Sequence, residues 1–352
     1  MRDQRKFLAF LIGFLSLFAG SLAFGQSSAP NAVIVEKWLG SPHADAKSPS
    51  FTHWNDDGAI PQACATCHSG QGFREFFGLD GSTLGEIVHP VPTGGVVDCA
   101  TCHDGADQIG SVTFPSGLMV TPEGSTATCL ACHQGRQSGV GLTAALSGRD
   151  DDVVDPELGF INPHYGVAAA MQFGTDVKGG YEYPGRDYKG QFAHAPPFSG
   201  CIDCHDPHDL KVAVATCVDC HKTDDPRAIR TSPVDFDGDG DVTSGIHAEV
   251  AALNDQLLDM IGHYAADVAG TPIVYADHYP YFFVAEDGVA TSETFSAWTP
   301  ALLRAAYNFQ FVLKDKGAYV HNPHYAIQLL QDSITDLADR AGIEVELGAR
   351  PL

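Results

Sequence analysis

The chain has 352 residues, a formal net charge of −24 and a pI near 4.8. That balance excludes nucleic acid as a partner and calls for redox or docking partners that present basic patches. Only 18% of residues are charged, while 37 are Gly and 21 are Pro. This composition speaks against a chain of long periodic segments throughout and for a mainly irregular and helical one with little β-structure.

The N-terminus has the pattern of an export signal. Arg2, Arg5 and Lys6 precede an apolar run from Phe7 to Phe18, and Ala23-Phe24-Gly25 offers small residues for cleavage before Gln26. The run is short for a membrane span, and no Cys follows it to take a lipid. Residues 1–25 are therefore expected to be a signal peptide. Nothing later in the sequence reads as a span, so an integral membrane protein is not expected.

Beyond the signal, all ten Cys fall into five copies of Cys-x-x-Cys-His. They are Cys64, Cys67 and His68; Cys99, Cys102 and His103; Cys129, Cys132 and His133; Cys201, Cys204 and His205; and Cys217, Cys220 and His221. Disulfides and zinc also use Cys-x-x-Cys. Neither explains why every pair is followed by His, whereas attachment of c-type haem requires it. The two thiols bond the porphyrin vinyl groups and the His takes the proximal side of the iron. Five haems c are expected. Gly70, Gly105 and Gly135 follow the first three ligands by two residues and let the chain turn away. The last two motifs lack that Gly and carry Asp203 and Asp219 inside the loop.

Three segments follow. Residues 26–150 form a three-haem module, with the porphyrins expected to supply much of its apolar core. An acidic stretch, Arg149 to Asp152, leads into a two-haem module at 151–232, whose sites should lie nearly in contact. Residues 233–352 form a haem-free helical region. Apolar residues recur every three to four positions from Ile246 to Val268. Thr299-Pro300 and Asn322-Pro323 read as helix caps with Pro in the first turn, opening helices to about Lys314 and to Gly342.

The sequence holds 16 His and four Met, so a second His is the expected sixth ligand. His208 lies too close to His205 to reach the far face of the same haem, and is expected on a neighbouring one. His194 precedes the fourth motif in an aromatic, Pro-rich stretch. Asn-Pro-His-Tyr occurs at 162–165 and 322–325, and both copies read as helix starts. His164 would share an apolar face with Val167, Ala168 and Met171. His324 would share one with Gln328, Gln331 and Thr335, which reads as solvent-facing, so His321 is preferred there. His43 completes the distal set His43, His164, His194, His208 and His321, with His53, His324 and His278 as alternates. Separately, Asp235, Asp237, Asp239 and Asp241 stand at positions one, three, five and seven of a loop with Gly at six, the opening of an EF-hand calcium loop. Ile246 replaces the Glu expected at twelve, and Glu249 is the substitute.

With these motifs, the late Cys-x-x-Cys-His-x-Pro-His and the C-terminal His-Asn-Pro, the chain resembles the multihaem c-type cytochromes. The resemblance implies bis-His haems, electron transfer rather than catalysis, and a periplasmic or cell-surface location. Some members polymerise into filaments, where an N-terminal His such as His43 or His53 would ligate a neighbour's haem. The rival within the resemblance is a nitrite or hydroxylamine enzyme with one open haem. The absence of Cys-x-x-Cys-Lys weighs against the nitrite form.

Overall fold

The computed structural model describes residues 30–352 except 123, 197 and 199. The expected export signal lies outside the described residues. Four helices lead the chain: α1 (Pro30–Leu39), α2 (Pro49–Thr52), α3 (Gln62–His68) and α4 (Gly70–Phe76). They are followed by α5 (Cys99–His103), α6 (Thr126–Cys132), α7 (Gly139–Leu146), α8 (Ala168–Phe173) and α9 (Ala215–His221). All nine are short and are joined by irregular chain. The C-terminal part carries α10 (Ile246–Asp267), α11 (Pro300–Leu313), α12 (Ala318–His321) and α13 (Pro323–Ala341).

Strands are few. The pairs β1 (Ala59–Ile60) with β2 (Val91–Pro92) and β3 (Val112–Thr113) with β4 (Met119–Val120) are two-residue antiparallel ribbons. A three-stranded antiparallel sheet, β5 (Ile273–Tyr275), β6 (Phe282–Glu286) and β7 (Val289–Thr294), packs beside α10. Asp287 and Gly288 join β6 to β7 with positive φ at both positions, the conformation a two-residue hairpin requires. The fold is thus mainly helical and irregular, with little β.

The long helices form as their caps and periodicity dictate. The Thr299 side chain accepts from Leu302 N–H at the start of α11. Asn322 does the same for Tyr325 N–H at the start of α13, which Gly342 closes at φ 68°. Helices α10, α11 and α13 pack on one another. Val250, Leu253, Leu257, Ile261 and Tyr264 of α10 are buried there with Tyr307, Phe309, Phe311, Tyr325, Leu330 and Leu337. Many of the aromatic residues therefore build a protein core in this region, rather than only lining porphyrins.

Two expectations are corrected. Asn162-Pro163 does not open a helix. The Asn162 side chain instead accepts the His164 N–H at 2.8 Å, His164 takes φ 75°, and helix starts only at Ala168. This local turn competes successfully with the helical cap. Second, the Gln face of α13 is not open to solvent. Gln328 and Gln331 are 1% and 3% exposed. Gln328 Nε2 donates to Pro351 O at 3.0 Å and Gln331 Nε2 to Phe236 O at 2.6 Å, because the C-terminal tail and the Asp-rich loop cover that face.

The acidic stretch is anchored. Arg304 reaches Asp151 at 2.7 Å, while Arg340 reaches Asp151 at 2.8 Å and Asp152 at 3.1 Å. These contacts tie the start of the second segment to α11 and α13.

Candidate haem sites

Four of the five motifs lie in short helices: α3, α5 and α9 end on the motif His, and α6 ends on Cys132 just before His133. The fourth begins in a 3-10 turn at Cys201–Asp203. A helical turn places residues three and four apart on one face. Both thiols and the imidazole of a motif then face the same side, as a porphyrin bonded through two thioethers and one axial nitrogen requires. Local polar contacts hold the turns. At α5 the Asp98 side chain accepts from Thr101 N–H while Thr101 Oγ1 accepts from Asp98 N–H, and Arg74 pairs with Asp98 at 2.8 Å.

The glycines after the ligands differ in what demands them. Gly105 and Gly135 have φ of 85° and 75°. Gly70 has no such φ, but a Cβ there would stand 2.5 Å from Thr101 Oγ1 and 2.8 Å from Val96 O. Close packing of α4 on α5, rather than a turn, excludes a side chain at that position.

The five motif histidines each face a second imidazole. Ring centroids are 5.9 Å apart for His68 and His164, 6.2 Å for His103 and His208, and 6.4 Å for His133 and His43. They are 6.4 Å apart for His205 and His321 and 6.0 Å for His221 and His194. A metal–imidazole bond is about 2.0–2.1 Å, and the bonded nitrogen lies about 1.2 Å from the ring centre, so opposed imidazoles on one metal have centroids about 6.4 Å apart. The observed gaps are of that size. All ten Cys are free thiols, as thioether formation requires. Ile202, Val212, Val214 and Val218 are exposed around the fourth and fifth motifs, 37–49% accessible, an apolar surface that porphyrins would cover. The residues present fit five haems.

Electrostatics suit the assignment. Burial, followed by the neighbouring His133, lowers the His43 pKa to about 4. Burial, with His68, Lys314 and Arg136 nearby, lowers that of His164 to about 4. Burial also lowers His68 and His133. These imidazoles are neutral at pH 7, the form that binds metal. His321 differs: burial pulls its pKa down, but the charge and hydrogen bond of Asp315 outweigh this and raise it.

The motifs touch in an order that is not their sequence order. Helices α3 and α6 lie against each other, with Cys67 Sγ 3.7 Å from Ala131 O and Cys132 Sγ 3.8 Å from Thr66 O. The Cys129 thiol interacts with that of Cys201, and Cys204 lies near Cys217. Cys102 lies near Cys129. The first motif thus meets the third, the third meets the fourth, and the fourth meets the fifth, with the second beside the third.

The alternates are placed elsewhere. His53 is exposed and stands edge-on to Trp54 at 4.8 Å; Trp54 is in turn edge-on to His68 at 5.1 Å. His324 lies 6.4 Å from Phe236. His278 is exposed, with Nδ1 3.1 Å from Tyr279 O. Several contacts had no signal in the sequence: Ser50 O at 2.7 Å from His68 Nδ1, Leu210 O at 3.1 Å from His205 Nδ1, and the buried Asp315 beside His321. Each depends on chain segments meeting in space.

In the Asp-rich loop, carboxylate oxygens of Asp235, Asp237 and Asp239 lie within 4.8 Å of one another. Asp241 stands apart, accepting from Thr243 N–H at 2.7 Å. Glu249 does not take up the twelfth ligand position. It is buried, accepts from Phe236 and Asp237 N–H at 2.9 and 3.0 Å, and pairs with Arg230. Burial, then the charges of Glu249, Asp239 and Asp235, push Asp237 up to about 6.

No family model and no solved structure matches the chain. Curated relatives do. The chain is 26% identical over 402 residues to the C-type polyheme cytochrome OmcC of Geobacter sulfurreducens, covering 92% of this chain and 49% of that one. It is 26% identical over 371 residues to the C-type polyheme cytochrome OmcB of two strains of the same species, covering 84% and 46%. The chain spans about half the length of these relatives. No helix among the described residues is long and apolar enough to cross a membrane. With its five motif copies and their paired imidazoles, the chain has the features of a multihaem c-type cytochrome and is similar to these polyheme relatives.

Proposed function

We propose that this chain binds five c-type haems, each iron held between a motif His and one of His164, His208, His43, His321 and His194, and that it relays electrons along the array after export. When bound, each haem would supply a one-electron iron couple. The polypeptide fixes the spacing of the sites through its touching motif helices, holds His43, His68, His133 and His164 in the neutral form by burial, and sets a second imidazole opposite each motif His. The observation that carries this reading is the set of five opposed imidazole pairs with centroids 5.9–6.4 Å apart.

The three-haem segment (26–150), the two-haem segment (151–232) and the C-terminal region (233–352) exchange ligands in this account. Three pairs cross the boundaries: His68 with His164, His103 with His208, and His205 with His321. With His43 opposed to His133 in the same chain, a homopolymer would not need a ligand donated by a neighbour. We read the work site as the periplasm or the cell surface. That reading is supported by the export pattern at 1–25. We also assign the loop from Asp235 to Asp241 to a structural Ca²⁺, supported by the three clustered carboxylates.

Mass spectrometry of the purified, denatured chain together with its haem absorbance tests the proposal. Polypeptide mass plus five haems, with a low-spin spectrum and no CO binding to the reduced protein, is expected. A high-spin ferric haem or CO binding to native protein would favour a catalytic site instead.

A further inference from the structure

The ligands of the first and fourth sites meet opposite charges at one joint of the fold. Lys314 and Asp315 are consecutive residues between α11 and α12. The Asp315 carboxylate, 3% exposed, lies 2.8 and 2.9 Å from His321 Nδ1. It also accepts from Gly317 N–H at 3.0 Å, which fixes its plane. Gly317 is packed so closely that a Cβ there would stand 2.5 Å from His321 Cε1. The other site histidines with a partner on Nδ1 meet backbone carbonyls: Ser50 O for His68, Leu210 O for His205 and Ala195 O for His194. Asp206 stands 4.0 Å from His208 Nδ1, beyond hydrogen-bond range. Among the described residues, Asp315 is thus the carboxylate that hydrogen-bonds a site imidazole.

Lys314 turns the other way. Its Nζ donates to Asn162 Oδ1 at 2.6 Å, and the same oxygen accepts the His164 N–H at 2.8 Å. The ammonium also sits 4.3 and 4.2 Å from the ring centroids of Tyr165 and Tyr281. It is held in an aromatic setting beside the His164 backbone. A carboxylate bonded to the far nitrogen of a ligating imidazole raises its basicity and stabilises the more oxidised metal. A nearby half-buried cation does the opposite.

We propose that Asp315 and Lys314 are positioning residues that set a redox slope, Asp315 making the His205–His321 site the most reducing of the five and Lys314 making the His68–His164 site more oxidising. The third site touches both, so electrons passing from the fourth site through the third are drawn toward the first. This inference rests on the five-haem reading above.

Haem-resolved NMR redox titration of the full haem-loaded chain, with the ferric EPR spectrum as a second readout, tests it. Asp315→Asn is expected to shift the reduction equilibrium of one haem, the fourth, at least tenfold toward the ferrous form, about 59 mV for a one-electron couple. The same variant should change the EPR g-values of that haem only. Asp315→Glu should restore most of both. Lys314→Gln should shift the first haem toward the ferric form and leave the fourth unchanged. If Asp315→Asn retains five low-spin haems and no equilibrium moves more than twofold, the proposal is overturned. If the wild-type chain itself lacks five low-spin haems, the five-haem reading fails first, and this one with it.

Discussion

Replacing His208 by Ala should open the second site and no other. His208 comes from the loop after the fourth motif, yet its ring faces His103 at 6.2 Å with the planes 13° apart. Its turn does not depend on the imidazole, because the hydrogen bonds to Asp206 Oδ1 at 2.9 and 3.1 Å come from the backbone N–H groups of residues 208 and 209. The fourth motif should therefore keep its shape, and the thioethers of the second haem do not involve residue 208. The other four imidazole pairs share no ring with this one. The expected magnitude follows directly: about one haem per chain, one fifth of the total, becomes high-spin and binds CO when reduced. Quantitative CO-difference spectroscopy, normalised to haem content, reads this, and added imidazole should reverse it. A variant that keeps five low-spin haems and binds no CO would show that His208 is not an axial ligand.

Other consequences concern the frame that holds the sites. In Gly139→Ala the new Cβ would stand 2.0 Å from Gly180 O, and overpacking against backbone should cost about 1–3 kcal/mol, read from urea midpoints followed by far-UV circular dichroism. Glu249→Gln should cost about 3–5 kcal/mol by stranding the buried Arg230, which is 7% exposed in its side chain; a loss under about 1 kcal/mol would contradict the buried-pair argument. The Asp151 pKa is lowered from 3.8, first by its hydrogen bond to Arg304. The unfolded chain thus takes up this proton at higher pH than the folded one, so Asp151 contributes stability above about pH 4 that is lost as pH falls through its folded pKa. The midpoint gap between wild type and Asp151→Asn should shrink below about pH 4 and stay constant from about pH 5 to 7, where the carboxylate is ionised in both folded and unfolded chains. Added Ca²⁺ should raise the melting temperature of chelator-treated protein, and Asp237→Asn should abolish most of that rise; no response to Ca²⁺ would remove the ion from the account.

What could be read from the sequence depended on how local its cause was. The Cys-x-x-Cys-His motifs stand out because covalent chemistry fixes their spacing within five residues. The C-terminal helices are legible because Thr299, Asn322 and Gly342 act on their own helix ends, and the α10 stripe repeats with the helical period. Asn162-Pro163 shows where this fails. The same residues that cap α13 at Asn322 make a turn here, because the Asn162 side chain bonds residue 164 and the chain then passes through positive φ at Tyr165's neighbours, His164 and Gly166. Gln328 and Gln331 looked solvent-facing because their cover, the tail ending at Leu352 and the loop at Phe236, is distant in sequence. Residue type and context could nominate the facing histidines, but only the tertiary fold brings His321 from α12 to a motif more than a hundred positions earlier. Asp315 carried no signal, since nothing in Lys-Asp-Lys-Gly distinguishes a buried carboxylate from a surface turn.

The most direct measurement is an experimental structure of the exported, haem-loaded chain that resolves the axial atoms of every iron. Five irons are expected, bracketed by His68 and His164, His103 and His208, His133 and His43, His205 and His321, and His221 and His194. An iron with an open position, a Met sulfur, or His53, His278 or His324 in place of a named partner would contradict this assignment.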